Sequence, residues 1–189
     1  MMDKTHTYLQ SFHSQIQSAA LKLIPPEKQD DFRATIGNIL NKQLDPEDLD
    51  KCFFEVVSLR NHAVATISSE EERKELATMN LQAGMKASEN AAFDAAAIYF
   101  QAARKLMGEE GWANDQGMMI KICSEGANAS FISNDIDTMH KFIDEVISKD
   151  ISIADKFRVF EVKSLALQGE GKHEESLCKY LFKKLRELY

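Results

Sequence analysis

The stretch from Leu76 to Leu106, LATMNLQAGMKASENAAFDAAAIYFQAARKL, decides how the chain is read. Its first half sets the small residues Ala83, Gly84 and Ala87 on one helical face, and its second half spaces Ala96, Phe100 and Ala103 by four and three. Two short helices folded back on each other with a close crossing satisfy that pattern. The spacing recurs downstream: Gly84 is followed by Ala96 and Phe100, Ala127 by Met139 and Ile143, and Ser164 by Ser176 and Tyr180. Three hairpins therefore share one internal register, offset by 43 and then 37 residues. Units of that size cannot bury their apolar faces alone, so they stack.

Working outward, the expected fold is all-α: a right-handed α-solenoid of tetratricopeptide-like helical hairpins preceded by a short helical bundle. The repeats occupy 70–189, as about 70–107, 115–149 and 153–189, with turns at Ser133-Asn134-Asp135 and Gly169-Glu170-Gly171. Residues 1–69 form an N-terminal helical segment. In it, Leu9, Phe12, Ile16, Ala19, Ala20 and Leu23 step by three and four along a helix from Tyr8 to Ile24. Pro25-Pro26 ends that helix and Pro26 opens the next, which runs to about Gln43 with Phe32, Ile36, Ile39 and Leu40 inward. Asp45 caps a further helix with Pro46 in its first turn, and a wide apolar stripe from Leu49 through Cys52, Val56 and Val57 to Ile67 predicts deep packing. Ser68 with Glu71 and Ser69 with Glu72 form overlapping capping boxes at the start of the first hairpin. No stretch alternates with period two for long enough to make a strand.

The 189 residues carry a net charge of −7, with 44% hydrophobic and 28% charged residues, the composition of an ordinary globular protein. The acidic balance argues against nucleic acid as a partner, and the basic run Lys179 to Arg186 reads as a solvated helix face. Cys52, Cys123 and Cys178 lie far apart in apolar helical patterns, which predicts reduced, buried thiols. Met1 to Gln10 has no apolar core of a signal peptide, and no run approaches the length of a membrane span, so a cytoplasmic protein that does not enter membranes is expected. The chain stops on a helix without a polar capping repeat, so its end is expected to be artificial.

The search for chemistry returns little. None of the eight glycines sits in a phosphate-cradling loop, and the five histidines are scattered with no i, i+4 pair. No catalytic residue, metal ligand or cofactor site is assigned. Trp112 reads as the side chain that closes the end of a hairpin. In stacked helix pairs the first helix of each unit lines the face on which partners dock. The groove-facing positions would be Thr78, Leu81, Met85 and Ser88, then Lys121, Ser124, Asn128 and Phe131, then Arg158, Glu161, Leu165 and Gln168. Of these, Lys121, Asn128, Phe131, Arg158 and Glu161 are the candidate partner-binding residues, with Lys121, Asn128 and Arg158 suited to an acidic or polar partner.

Nearly the whole chain, about Phe12 to Leu177, resembles the tetratricopeptide-like helical region that follows the AAA-type ATPase domain in multidomain signalling proteins. Those proteins join a serine/threonine kinase-like domain, that ATPase, a GAF domain and a histidine kinase. The resemblance rests on Phe12-His13, Ile16-Gln17, Ala19-Ala20, Leu23-Ile24-Pro25, Ile36-Gly37, Pro46-Glu47-Asp48-Leu49, Phe54-Glu55-Val56-Val57 with Asn61, and Leu76-Ala77 with Asn80-Leu81. Ala83-Gly84, Lys86-Ala87, Ala91-Ala92-Phe93 and Trp112 with Asp115 complete it. Where the family has an Asp-Arg pair after the histidine, this chain has Ser14-Gln15. The resemblance implies that 1–69 is the remnant of a winged-helix, ATPase-adjacent region and the rest a relay between signalling domains. It implies no enzyme activity, because the kinase and ATPase domains are absent from this chain. The expected function is a non-catalytic interaction or relay module whose partners are proteins or neighbouring signalling domains. The alternative is a regulatory subunit sensing a small ligand in a pocket between the early helices and the repeats, near Trp112.

Overall fold

The computed structural model describes residues 23–62, 64, 67 and 69–169. The helix expected before Leu23, Ser68 of the first capping box, His173, Cys178, Ser176, Tyr180 and the basic run after Lys179 lie outside them. Among the described residues there are nine helices and no strand: α1 Pro26–Gln43, α2 Pro46–Lys51, α3 Phe53–Asn61, α4 Glu70–Glu89, α5 Phe93–Met107, α6 Gly111–Asn114, α7 Gln116–Ile132, α8 Ile136–Ser148 and α9 Ile153–Gly169. The chain divides into two compact units, Met1–Ile67 and Ser68–Tyr189.

In the first unit, α1 starts at Pro26 and ends at Gln43 as its prolines dictate, but its inward face is different. Ala34 and Gly37 are buried, whereas Phe32 and Ile39 are 42% and 46% exposed and Ile36 and Leu40 are half-buried. The cause is the close approach of α3. A methyl group on Gly37 would lie 2.9 Å from the Arg60 backbone nitrogen, so only small side chains fit between the two helices. The single helix expected after Asp45 is also interrupted. Asp45 caps it through the backbone N–H groups of Glu47 and Asp48, at 3.1 and 3.0 Å. At Cys52 the backbone leaves the helical region, so α2 buries nothing while α3 buries Phe53, Val56, Val57 and Arg60. Cys52 itself is only half-buried, with its thiol donating to the Asp48 carbonyl at 3.2 Å.

In the second unit, α4 and α5 pack as one hairpin and α7 and α8 as another, α5 packs on α7, and α9 packs on both α7 and α8. Ser69 caps α4 by accepting from the Glu72 N–H at 3.3 Å, while its own hydroxyl donates to Glu71 at 2.7 Å. The two hairpin turns are built alike. After α4, Ala92 N–H donates to Ala87 O at 2.9 Å and Ala91 N–H to Ser88 O at 3.0 Å, with Ala91 at φ +58°. After α7, Asp135 N–H donates to Ser130 O at 2.8 Å and Asn134 N–H to Phe131 O at 3.1 Å, with Asn134 at φ +63°. Both are Schellman caps, which close the last carbonyls of a helix through one left-handed residue, and they stand 43 positions apart.

The crossings are as close as the small residues suggest. A methyl group on Gly84 would lie 2.6 Å from the Phe100 ring, and one on Gly126 would lie 2.6 Å from the Phe142 ring. The second contact falls one residue earlier than the register of the turns, which aligns Gly84 with Ala127 and Phe100 with Ile143. Around these rings lies a core that includes Ala96, Cys123, Met139, Ile143, Val146 and Val159. α9 joins it with Val159, Val162 and Ala166, and its buried Lys156 donates to the Ile147 carbonyl at 2.9 Å, capping the end of α8.

Glycine inside a helix is normally worse than alanine by about 1 kcal/mol. At Gly84 the sign reverses. Gly84→Ala should lower stability by about 1–3 kcal/mol through overpacking against Phe100, whereas Gly117→Ala, with nothing within 4 Å of the added methyl, should be neutral or stabilising. Urea denaturation of the two variants checks the opposition, and a stabilised Gly84→Ala would refute the crossing. The left-handed Ala91 carries about 1 kcal/mol of steric strain that glycine would not. Ala91→Gly should therefore raise the melting temperature by a few degrees, and Asn134→Gly by less, because asparagine tolerates that conformation.

Candidate interaction surface

The outward strips of α7 and α9 hold most of the residues that the pattern assigns to a partner. α7 buries eight of its seventeen residues, and Lys121, Glu125, Asn128 and Ile132 face outward or lie half-covered at steps of four and three. Lys121 is exposed and takes part in no ion pair among the described residues. Asn128 is half-buried. Phe131 is also half-buried, packed against the core with Leu81 and Met85. Ser124, expected on the open face, is instead buried, and its hydroxyl and that of buried Ser130 have no hydrogen-bond partner among the described residues. The steric cause is the position of α7, which packs against helices of both hairpins and α9.

On α9, Arg158 and Glu161 pair with each other at 3.3 Å, half-exposed one turn apart. Such a pair contributes little to stability and leaves both groups free to exchange partners. Leu165 is 50% exposed, and Phe157, which the sequence reading passed over, is 49% exposed. Its spacing of eight from Leu165, with Glu161 midway, is the signal that puts all three on one helical face. At the far end, Gln168 donates to Ser164 Oγ at 3.4 Å. Lys121, Asn128, Arg158, Glu161 and Leu165 are thus wholly or partly accessible, and Phe131 is more a core side chain than an anchor.

A second polar cluster joins the two hairpins. Arg104 of α5 donates through Nε to Glu145 of α8 at 2.6 Å, through Nη1 to the Gly108 carbonyl at 3.0 Å, and through Nη2 to Glu109. The Trp112 indole N–H donates to the same Glu145 oxygen at 2.7 Å, and Lys149 Nζ lies 5.3 Å from the Trp112 ring centre and 3.6 Å from Glu109. Trp112 therefore has its polar edge satisfied within the chain, as a hairpin-closing side chain requires. Nothing in the local sequence marks Arg104 and Glu145 as partners, since they lie 41 residues apart. Near this cluster, burial pushes the Cys123 thiol far above the usual thiol range, so it stays protonated and is a poor nucleophile.

A small cleft of about 50 Å³ lies among Glu70, Lys74, Leu106, Glu110 and Asp115, well below the volume a metabolite needs. Lys74 spans it to Asp115 at 2.8 Å. Among the described residues no three His, Cys, Asp or Glu side chains gather as a metal site, and no helix is long and apolar enough to cross a membrane. No protein family, no curated protein and no solved structure matches the chain.

Removing the shared acceptor should loosen the joint. Glu145→Ala should cost about 1.5–3 kcal/mol, the range for hydrogen bonds to charged groups, and should shift the emission of Trp112, the single tryptophan, while the protein is still folded. Acid should act on Glu109 of this cluster and on two helix-capping aspartates outside it. Arg104 holds the Glu109 carboxyl below its usual value, Lys74 and the Met118 N–H do so for Asp115, and Thr138 does so for Asp135. Groups with lowered folded values stabilise fully above their unfolded values and lose that stabilisation as pH falls. Melting temperature should be flat from pH 7 to about 5 and decline below about 4, with a shallower decline in Asp115→Asn.

Proposed function

We propose that this chain is a non-catalytic protein–protein interaction or relay module of a cytoplasmic signal-transduction protein, its second unit a short solenoid of tetratricopeptide-like hairpins. The observation that carries the reading is the recurrence of one turn geometry at Ala91 and Asn134. A repeated turn sets the second helix of each hairpin against its first in the same way, and like hairpins stack so that the outward strips of their first helices form a continuous docking face. The resemblance to the helical region of ATPase-linked histidine kinases supports the same reading and makes neighbouring signalling domains the natural partners. Phe157 and Leu165 supply apolar anchors, while Lys121, Asn128, Arg158 and Glu161 supply polar contacts that fix orientation.

The test is binding to an array of synthetic peptides of defined sequence, followed by titration of the best peptide against the wild type and against Leu165→Asp and Lys121→Glu. The expected outcome is a loss of affinity of about tenfold or more, roughly 1.4 kcal/mol, with unchanged melting temperatures, because both positions are exposed. Peptides that bind all three proteins equally would move the interface elsewhere. A panel of metabolites that raises the melting temperature while no peptide binds would instead favour the ligand-sensing regulatory subunit.

A further inference from the structure

We draw no further inference here: the strongest candidate, the outward strip of α9 at Phe157 and Leu165, belongs to the surface already proposed, and nothing in the structure shows what covers it.

Discussion

The contact of an aromatic ring with a helix backbone that lacks a side chain sets the spacing of the two described hairpins of the second unit. Phe100 lies against Gly84 and Phe142 against Gly126, each so close that a single methyl group could not be added. Because the glycine removes the Cβ, the two helices of a hairpin approach until the ring fills the space between them. Alanines then suffice around the ring: Ala83, Ala87, Ala96 and Ala103 are all buried. Larger residues at those positions would hold the helices apart and strand the ring in a gap.

Close packing of this kind demands that each pair of helices meet in one register, and the turns enforce it. A Schellman cap fixes how many residues separate the last turn of one helix from the first turn of the next, since its two backbone hydrogen bonds leave no slack. The cap after α4 uses an alanine at positive φ, and the cap after α7 uses an asparagine. The second is locally comfortable and the first is strained, which implies that tertiary packing of Phe100 on Gly84 holds the first turn in a conformation its own sequence disfavours.

The features legible in the sequence were those decided by short-range chemistry. Pro26, Asp45 and Ser69 mark helix starts because a proline or a short oxygen-bearing side chain acts within one turn, and each of those starts is found. The 43-residue register shows in the turns for the same reason. What failed was the direction of faces. Phe32 and Ile39 look like core residues until α3 is seen against Gly37, and Ser124 looks exposed until α7 is seen packed against helices of both hairpins and α9. Apolar character states a preference for burial, whereas the partner helix decides which face receives it. The one-residue displacement between Phe100 and Phe142 has the same origin, because a ring can enter a neighbouring notch without disturbing the turn.

The joint between hairpins follows a different logic from their interiors. Within a hairpin the contact is apolar and intolerant of added volume, but at the end of α5 a single guanidinium gathers Glu145, Glu109 and the Gly108 carbonyl. Glu145 in turn takes the Trp112 N–H, so one carboxylate is shared between a helix of the first hairpin and the connector that leads to the second. Arg104 and Glu145 are mostly shielded from water, and a pair in that position is costly to break because either partner alone would be left as an uncompensated charge. A directional contact also fixes orientation in a way that an oily contact does not. The hairpins therefore acquire a defined angle from polar geometry after acquiring their spacing from apolar packing. A docking face of the kind proposed above, with residues on both α7 and α9, requires that the helices beneath it keep a constant relation.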